Sequence, residues 1–542
     1  MGFQADIIIW DFDSLQMMHR LKLHKVLIQS LSFSFDEKYL ASLGGQDDNT
    51  LVIWDIESGK ALIGNPVGMN IANKVQFFNN TSSKCLTIHN YGIRTWDLDL
   101  IKKKVQYTEI LMNQIKRVFT SCVIDPDDQY AYLGTKTGDI VEISLFNNLF
   151  KRIGPTKRLF SQGINQINLL PNGDLLLGSG DGTLAKVGSR DMLVKREAKV
   201  MGAVTSISLT ADSTHFFCGT SKATIYWCNT DDIAPELRNT CHYERINDVA
   251  FPAGYSELFA TCSLNDIRVW NTKTRQELLR IEVPGLECFC VFFQRDGKAI
   301  LSGWNDGKVR AFLPQSGKLL FAINDAHNHG VTAISGTNDC QKIVSGGMEG
   351  EVRVWRIGRQ TQIMEGSLKE HRGRVSDIKI NKEDTQAVSS SFDGSCIIWD
   401  IINSTRIMCL FESTMFKQVL YHPDESQVLT TGSNRKITYW DCFDGQAIRM
   451  LDGSDSGEIN ALSITESGEY FVSGGQDKRV KLWDYDEGTC QYQGIGHSGD
   501  ITKISLSPDQ KTMVSVGTEG AIFMWHVPQR IIETKADQDM PQ

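Results

Sequence analysis

No apolar run in this sequence approaches the ~20 residues that a membrane-spanning helix requires. The opening MGFQAD lacks the basic-then-apolar order of a secretory signal, and Asp6 stands where a myristoylation pattern wants Ser or Thr. Thirteen cysteines are scattered without a C-x-x-C pair, the closest two being Cys288 and Cys290. That spacing argues against a disulfide framework or a cysteine-rich zinc site and predicts a reducing compartment. Cys122, Cys218, Cys262 and Cys396 fall in apolar strand-like runs, where a thiol acts as a small hydrophobe. Positive charge is in deficit too. With 56 Lys and Arg against 65 Asp and Glu, the net charge is −9, and a global cationic footprint for nucleic acid is missing. Only 12 of 542 residues are proline, and no long stretch shows helical periodicity. What remains is ordinary globular material, 41% hydrophobic and 22% charged, with length enough for several domains.

What is present is a repeat. Trp10, Trp54, Trp96, Trp399, Trp440 and Trp483 each close a short β-type run and are followed by Asp. Trp227, Trp270, Trp355 and Trp525 close similar runs without the Asp, and Ile143, Val187 and Phe312 hold the equivalent slot in three more. The thirteen slots are spaced by about 43 residues, the period of a four-stranded propeller blade. The unit ending at Trp399 shows why. VSDIKI alternates apolar and polar residues, NKED is a turn, QAVSSS is a second strand, and FDG turns into CIIWD. One such blade cannot bury both faces, so blades must stack radially. Ten of the eleven tryptophans hold a slot and are read as packing between blades. Trp304 lies on a connecting turn in SGWNDG and is therefore a contact candidate.

A polar set repeats with the blades. His371, Ser389, Asp393 and Trp399 stand at the same offsets as His327, Ser345, Glu349 and Trp355, and as His497, Ser515, Glu519 and Trp525. His24, Ser42, Asp47 and Trp54 form a looser copy. Ser, His and acid together suggest a nucleophile triad. An enzyme has no use for four copies, whereas each blade needs its internal polar groups satisfied, so these residues are read as structural. No catalytic, cofactor-binding or metal-binding residue is assigned. GSGDGT at 178–183 sits at a strand-to-strand turn with no helix to hold a phosphate. The basic residues Lys102, Lys103, Lys104, Lys157 and Arg158 are candidates for contact with an acidic protein surface, against the plainer reading of a solvated face.

Counting slots back from the C-terminus predicts an all-β chain of two tandem β-propellers. The second, residues 236–529, has seven blades; the first, residues 1–235, is incomplete or six-bladed; residues 530–542 form a polar tail. The stretch 229–239 reads as the junction, and ELRNTCH suits the last blade of either ring. The first slot lies so near Met1 that the chain enters in the third strand of a blade, which points to a shortened form.

The Trp-Asp endings, His openings and Asp-Gly-type turns resemble those of the WD-repeat family. GGQDDNTLVIWDIESGKAL and LTIHNYGIRTWDLDLIKKKV are similar to the family's cilia- and flagella-associated branch, found in axonemal doublet microtubules. The likeness runs to Trp525 and departs at the N-terminus, where such relatives carry further blades. It implies a non-catalytic scaffold, a microtubule inner protein in the cytoskeleton of cilia and flagella that supports axoneme stability and beating. Its partners would be tubulin and neighbouring luminal coiled-coil proteins, with no nucleic acid, membrane, cofactor or small-molecule substrate. A cytosolic adaptor that binds peptides in a propeller opening is the alternative.

Overall fold

A computed structural model describes residues 5–11, 13–14, 16–68, 70–112, 115–155, 158–358 and 361–532. Those residues form β-sheet throughout, apart from a single helical turn, Gln529–Ile532. Most strands are six residues long, and successive strands pair antiparallel, as expected when apolar residues alternate and tight turns recur. The turn at Asp393-Gly394 requires its glycine. Gly394 has φ +86°, and a Cβ there would lie 2.6 Å from the Glu412 carbonyl oxygen.

The chain divides into two compact units, Met1–Thr240 and Cys241–Gln542. In the second unit, the long strand Glu277–Phe293 is shared by two sheets. Its first half is the outer strand beside Leu264–Asn271, and its second half is the inner strand beside Ile300–Trp304. Counting that strand in both, seven sheets follow one another, six of four strands and a last one of three. Their inner strands pack side by side in chain order, and the last, Ile501–Leu506, returns to Asp248–Ala250. The ring is therefore closed. At the seam, Ile246 N–H donates to Gly517 O at 3.1 Å and Thr502 Oγ1 donates to Ile246 O at 2.6 Å.

The first unit has five four-stranded sheets, preceded by a two-stranded sheet of Ala5–Trp10 and Met17–His24. Inner strands again pack in order from Ile28–Phe33 to Val204–Leu209. Pro235–Thr240 pairs with Thr224–Asn229 and completes the last sheet of this unit. The boundary thus lies at 240/241, because the expected division at 235/236 would strip that strand from its partner. The helical turn Gln529–Ile532 takes in the first three residues of the expected tail 530–542, with Ile531 buried, and residues 533–542 lie outside the described residues.

Apolar packing lies between sheets. Val344, Val352 and Val354 of one sheet meet Val375, Ile378, Ala387, Ile397 and Trp399 of the next. A polar clasp accompanies it. The second residue of an inner strand donates its side-chain hydrogen to the carbonyl of the first residue of the next inner strand. Asn73 bonds Phe119 O at 2.6 Å, Asn165 bonds Val204 O at 2.9 Å and Asn460 bonds Ile501 O at 2.9 Å. Thr120 and Thr332 reach Ile164 O and Val375 O in the same way.

Two tryptophans leave the expected packing. Cys228, not Trp227, occupies the buried slot opposite Phe216. Trp227 is turned to the other face, stacked on His215 at 5.0 Å and tilted against Phe217 at 4.5 Å. Trp10 is 59% exposed.

Candidate functional site

Each repeated polar set is a bridge inside one blade. In the set of His371, Nε2 is hydrogen-bonded to Ser389 Oγ at 2.7 Å, and Trp399 Nε1 donates to the same oxygen at 2.7 Å. His327 Nε2 meets Ser345 Oγ at 2.8 Å and Nδ1 meets Glu349 at 2.7 Å, with Trp355 Nε1 on Ser345 at 2.9 Å. His497, Ser515, Glu519 and Trp525 repeat this arrangement. In each, the serine hydroxyl lies between an imidazole and an indole N–H, and Ser389 is 0% exposed. Such a hydroxyl has no approach for a substrate.

The local details depart from equal spacing in three places. His24 takes Asp48 at 2.9 Å rather than Asp47, because the loop between Ser42 and Trp54 carries two extra residues. His371 Nδ1 is hydrogen-bonded to Ser395 Oγ at 2.7 Å, with Asp393 at 3.6 Å. Asp393 instead accepts from Arg372 N–H and from Ser395. Burial works to raise its carboxyl, but His371, Ser395 and the Arg372 amide outweigh that and hold it well below the ordinary carboxylate range. A further set escaped the spacing rule. His242 meets Thr261 Oγ1 at 2.7 Å and Asp266 at 2.9 Å, and Trp270 Nε1 donates to Thr261 at 2.8 Å. Threonine replaces serine there, one residue late. Burial lowers both the His242 and the His327 imidazole below the usual range, against the pull of Asp266 and Glu349.

Trp304 is not a contact residue. It is 0% exposed, its indole donates to Ser302 Oγ at 2.8 Å, and it fills the core of a sheet whose slot holds only Phe312. Sequence placed it on a turn, but it is the last residue of Ile300–Trp304. Lys102, Lys103 and Lys104 are exposed where a turn meets a strand, with Lys102 near Asp99 at 3.5 Å. Arg158 is exposed and paired with Glu197 at 2.8 Å, and Lys157 lies outside the described residues.

A cavity of about 420 Å³ forms the central channel of the second unit. Deep in it, Lys503 faces Asp377 at 3.6 Å, and Asp248 accepts from Val291 N–H at 3.0 Å. Burial raises the Asp248 carboxyl; Lys503 is raised because Asp377 and Asp248 outweigh its own burial. Arg245, Phe289, Arg374, Phe392 and Lys417 stand at one end, where the inner strands begin. None of these had been singled out from sequence, because two arginines among many carry no motif. Among the described residues no cluster of His, Cys, Asp and Glu is arranged to hold a metal, all thirteen cysteines are free thiols, and no helix is long and apolar enough to cross a membrane.

The family model for the WD domain, G-beta repeat, matches residues 15–55, 317–356, 363–400, 445–484 and 488–526. The chain is similar to cilia- and flagella-associated protein 52 of Chlamydomonas reinhardtii, 52% identical over 528 residues, covering 97% of this chain and 86% of the relative. The human protein of that name is 46% identical over 531 residues, with 97% and 86% covered, and the Bos taurus protein is 46% identical over 534. A likeness of this length leaves no blade of either unit outside it, and the chain belongs to the cilia- and flagella-associated protein 52 family, WD-repeat proteins of the cilium and flagellum.

Proposed function

We propose that this chain is a non-catalytic structural scaffold, a microtubule inner protein that supports the stability and beating of ciliary and flagellar doublet microtubules. The observation that carries this reading is the burial of every Ser–His pair inside a blade, in a chain whose relatives are named for cilia and flagella throughout its length. Sheets locked by such bridges lose little conformational entropy on docking, which suits a lattice component. Tubulin and neighbouring luminal coiled-coil proteins are the proposed partners. The exposed Lys103 and Lys104 supply one surface for an acidic contact.

The test is fractionation of axonemes from cells expressing a tagged full-length chain. Retention with doublet microtubules after detergent and high salt, with crosslinks to tubulin, is the expected outcome. A diffuse cytosolic pool released by detergent alone would overturn it. That result would favour the adaptor reading, which the open channel of the second unit supports.

A further inference from the structure

The second ring carries this Asn or Thr clasp in four of its seven sheets. At the clasp position, Asn247, Thr332, Asn460 and Thr502 each bond the next sheet. Phe289, Ser376 and Lys417 hold that position in the other three sheets. Phe289 has no polar group to offer. Ser376 shares its hydrogen bond with Ser390 inside its own sheet, and Lys417 reaches the next sheet by a different contact, an ion pair with Glu458 at 2.8 Å. Phe289 and Ser376 therefore make no polar clasp to the next sheet.

Arg374 stands at one mouth of this ring, just before Val375, whose carbonyl accepts the Thr332 clasp. Its guanidinium carbon lies 5.3 Å from the Phe289 ring centroid and 5.6 Å from that of Phe392, within cation–π range of both. Its Nε is buried and meets no acceptor. Burial, and then the like charge of Arg245, push this guanidinium below its ordinary range, although Glu287 pulls the other way. Arg374 and Arg245 each occupy the residue just before the first carbonyl of an inner strand. On the sheets either side of Arg374 that position is Gly330 and Met415, so neither neighbour supplies a carboxylate. Glu287, Glu458 and Asp500 hold it elsewhere; Glu287 is bonded to Asn247 and Glu458 to Lys417, and Asp500 lies on the sheet next to Arg245. A desolvated arginine left without an acid is costly, and one facing a cavity between two phenyl walls is arranged for an anion from outside. Arginine's planar fork matches a carboxylate.

We propose that this mouth of the second ring binds a carboxylate side chain on an acidic segment of a partner protein, held by Arg374 between Phe289 and Phe392 and assisted by Arg245. The site goes beyond the scaffold reading and stands whether the chain works in an axoneme or in the cytosol.

The experiment is fluorescence polarisation of the purified full chain with a labelled oligoglutamate peptide, an oligoglutamine peptide and a phosphoserine peptide. Oligoglutamate should bind in a salt-sensitive way, and oligoglutamine should not. Arg374→Met and Arg245→Gln should each weaken oligoglutamate about tenfold or more, with thermal unfolding unchanged or, for Arg374→Met, raised. Lys103→Gln, in the other unit, should bind as wild type. Equal binding of the two uncharged-control and acidic peptides, or wild-type affinity in both arginine variants, overturns the site. Phosphoserine binding more than about tenfold tighter than oligoglutamate overturns the carboxylate assignment. Arg245 is exposed, so its variant remains informative if Arg374→Met fails to fold.

Discussion

The two units are built from one repeat and differ in how the described end sheets are covered. In the second, the inner strand Ile501–Leu506 packs back on Asp248–Ala250, and every sheet has a neighbour on each face. In the first, the succession runs from a two-stranded sheet to the sheet ending at Thr240. The outward faces of those end sheets carry apolar side chains in solvent: Ile8 and Trp10 at one end, Phe217 and Ile225 at the other. Trp10 and Trp399 share the Trp-Asp ending, yet one is 59% exposed and the other 1%. A repeat motif thus specifies a sheet; burial of its tryptophan is conferred by the next sheet.

The largest test of that comparison is the pair Trp399→Ala and Trp10→Ala. The first should cost about 3–5 kcal/mol, the loss expected for a buried large aromatic, and the second should stay within about 0.5 kcal/mol. Urea unfolding followed by peptide-resolved hydrogen exchange reads the units separately, which matters because two units need not unfold together. Comparable losses in both variants would show that Trp10 is packed and the contrast is false.

Acid should separate the units next. His89, in the first, is pushed down to about 4 by burial, and the Arg94 charge adds to this, against the Asn70 carbonyl. His327, in the second, is also lowered by burial, but Glu349 offsets part of it. In both, the unfolded chain binds a proton that the folded chain refuses, so stability is full above the ordinary histidine range near 6.5 and declines as pH falls. For His89 the loss levels off below about 4 and amounts to about 3 kcal/mol when complete. Protection factors in Lys84–His89, corrected for the intrinsic pH dependence of amide exchange, should therefore fall between pH 6.5 and 4, and His89→Gln should flatten that profile. An unchanged profile in the variant would assign the acid response to other groups.

Smaller still is the effect of a single bridge. Ser389→Ala strands a buried indole N–H and an imidazole and should cost about 1–3 kcal/mol. Ser42→Ala removes the matching bridge from His24 and Trp54 in the first unit. Equal losses would make the bridge a local device; a larger loss at Ser389 would show that ring closure couples the sheets. Loss of a turnover with unchanged melting would contradict the structural role altogether.

The strands, the Trp slots and the recurring His–Ser–Trp bridges were legible because each follows from spacing within about 43 residues of chain. What could not be read depends on neighbours distant in sequence or on a shift of one residue. Trp227 yields its slot to Cys228 although the surrounding run reads the same either way. Trp304 replaces the missing slot tryptophan from a different strand, which only the pairing of Cys288 with Trp304 reveals. The strand Pro235–Thr240 suited either ring by its pattern, and its register with Thr224–Asn229 decides the matter. The Arg374 cluster draws on sheets more than 80 residues apart, from Phe289 to Arg374, with no motif to join them.

The strand Glu277–Phe293 has a mechanical consequence. Elsewhere in the second ring a loop separates the rim of one sheet from the axle of the next, and that loop acts as slack under load. Between the first two sheets no slack exists: tension applied at the rim passes along one continuous backbone to the hub, bending only at Pro284-Gly285. This joint behaves as a rivet, and give within the ring is left to the five loop connections between the other successive sheets.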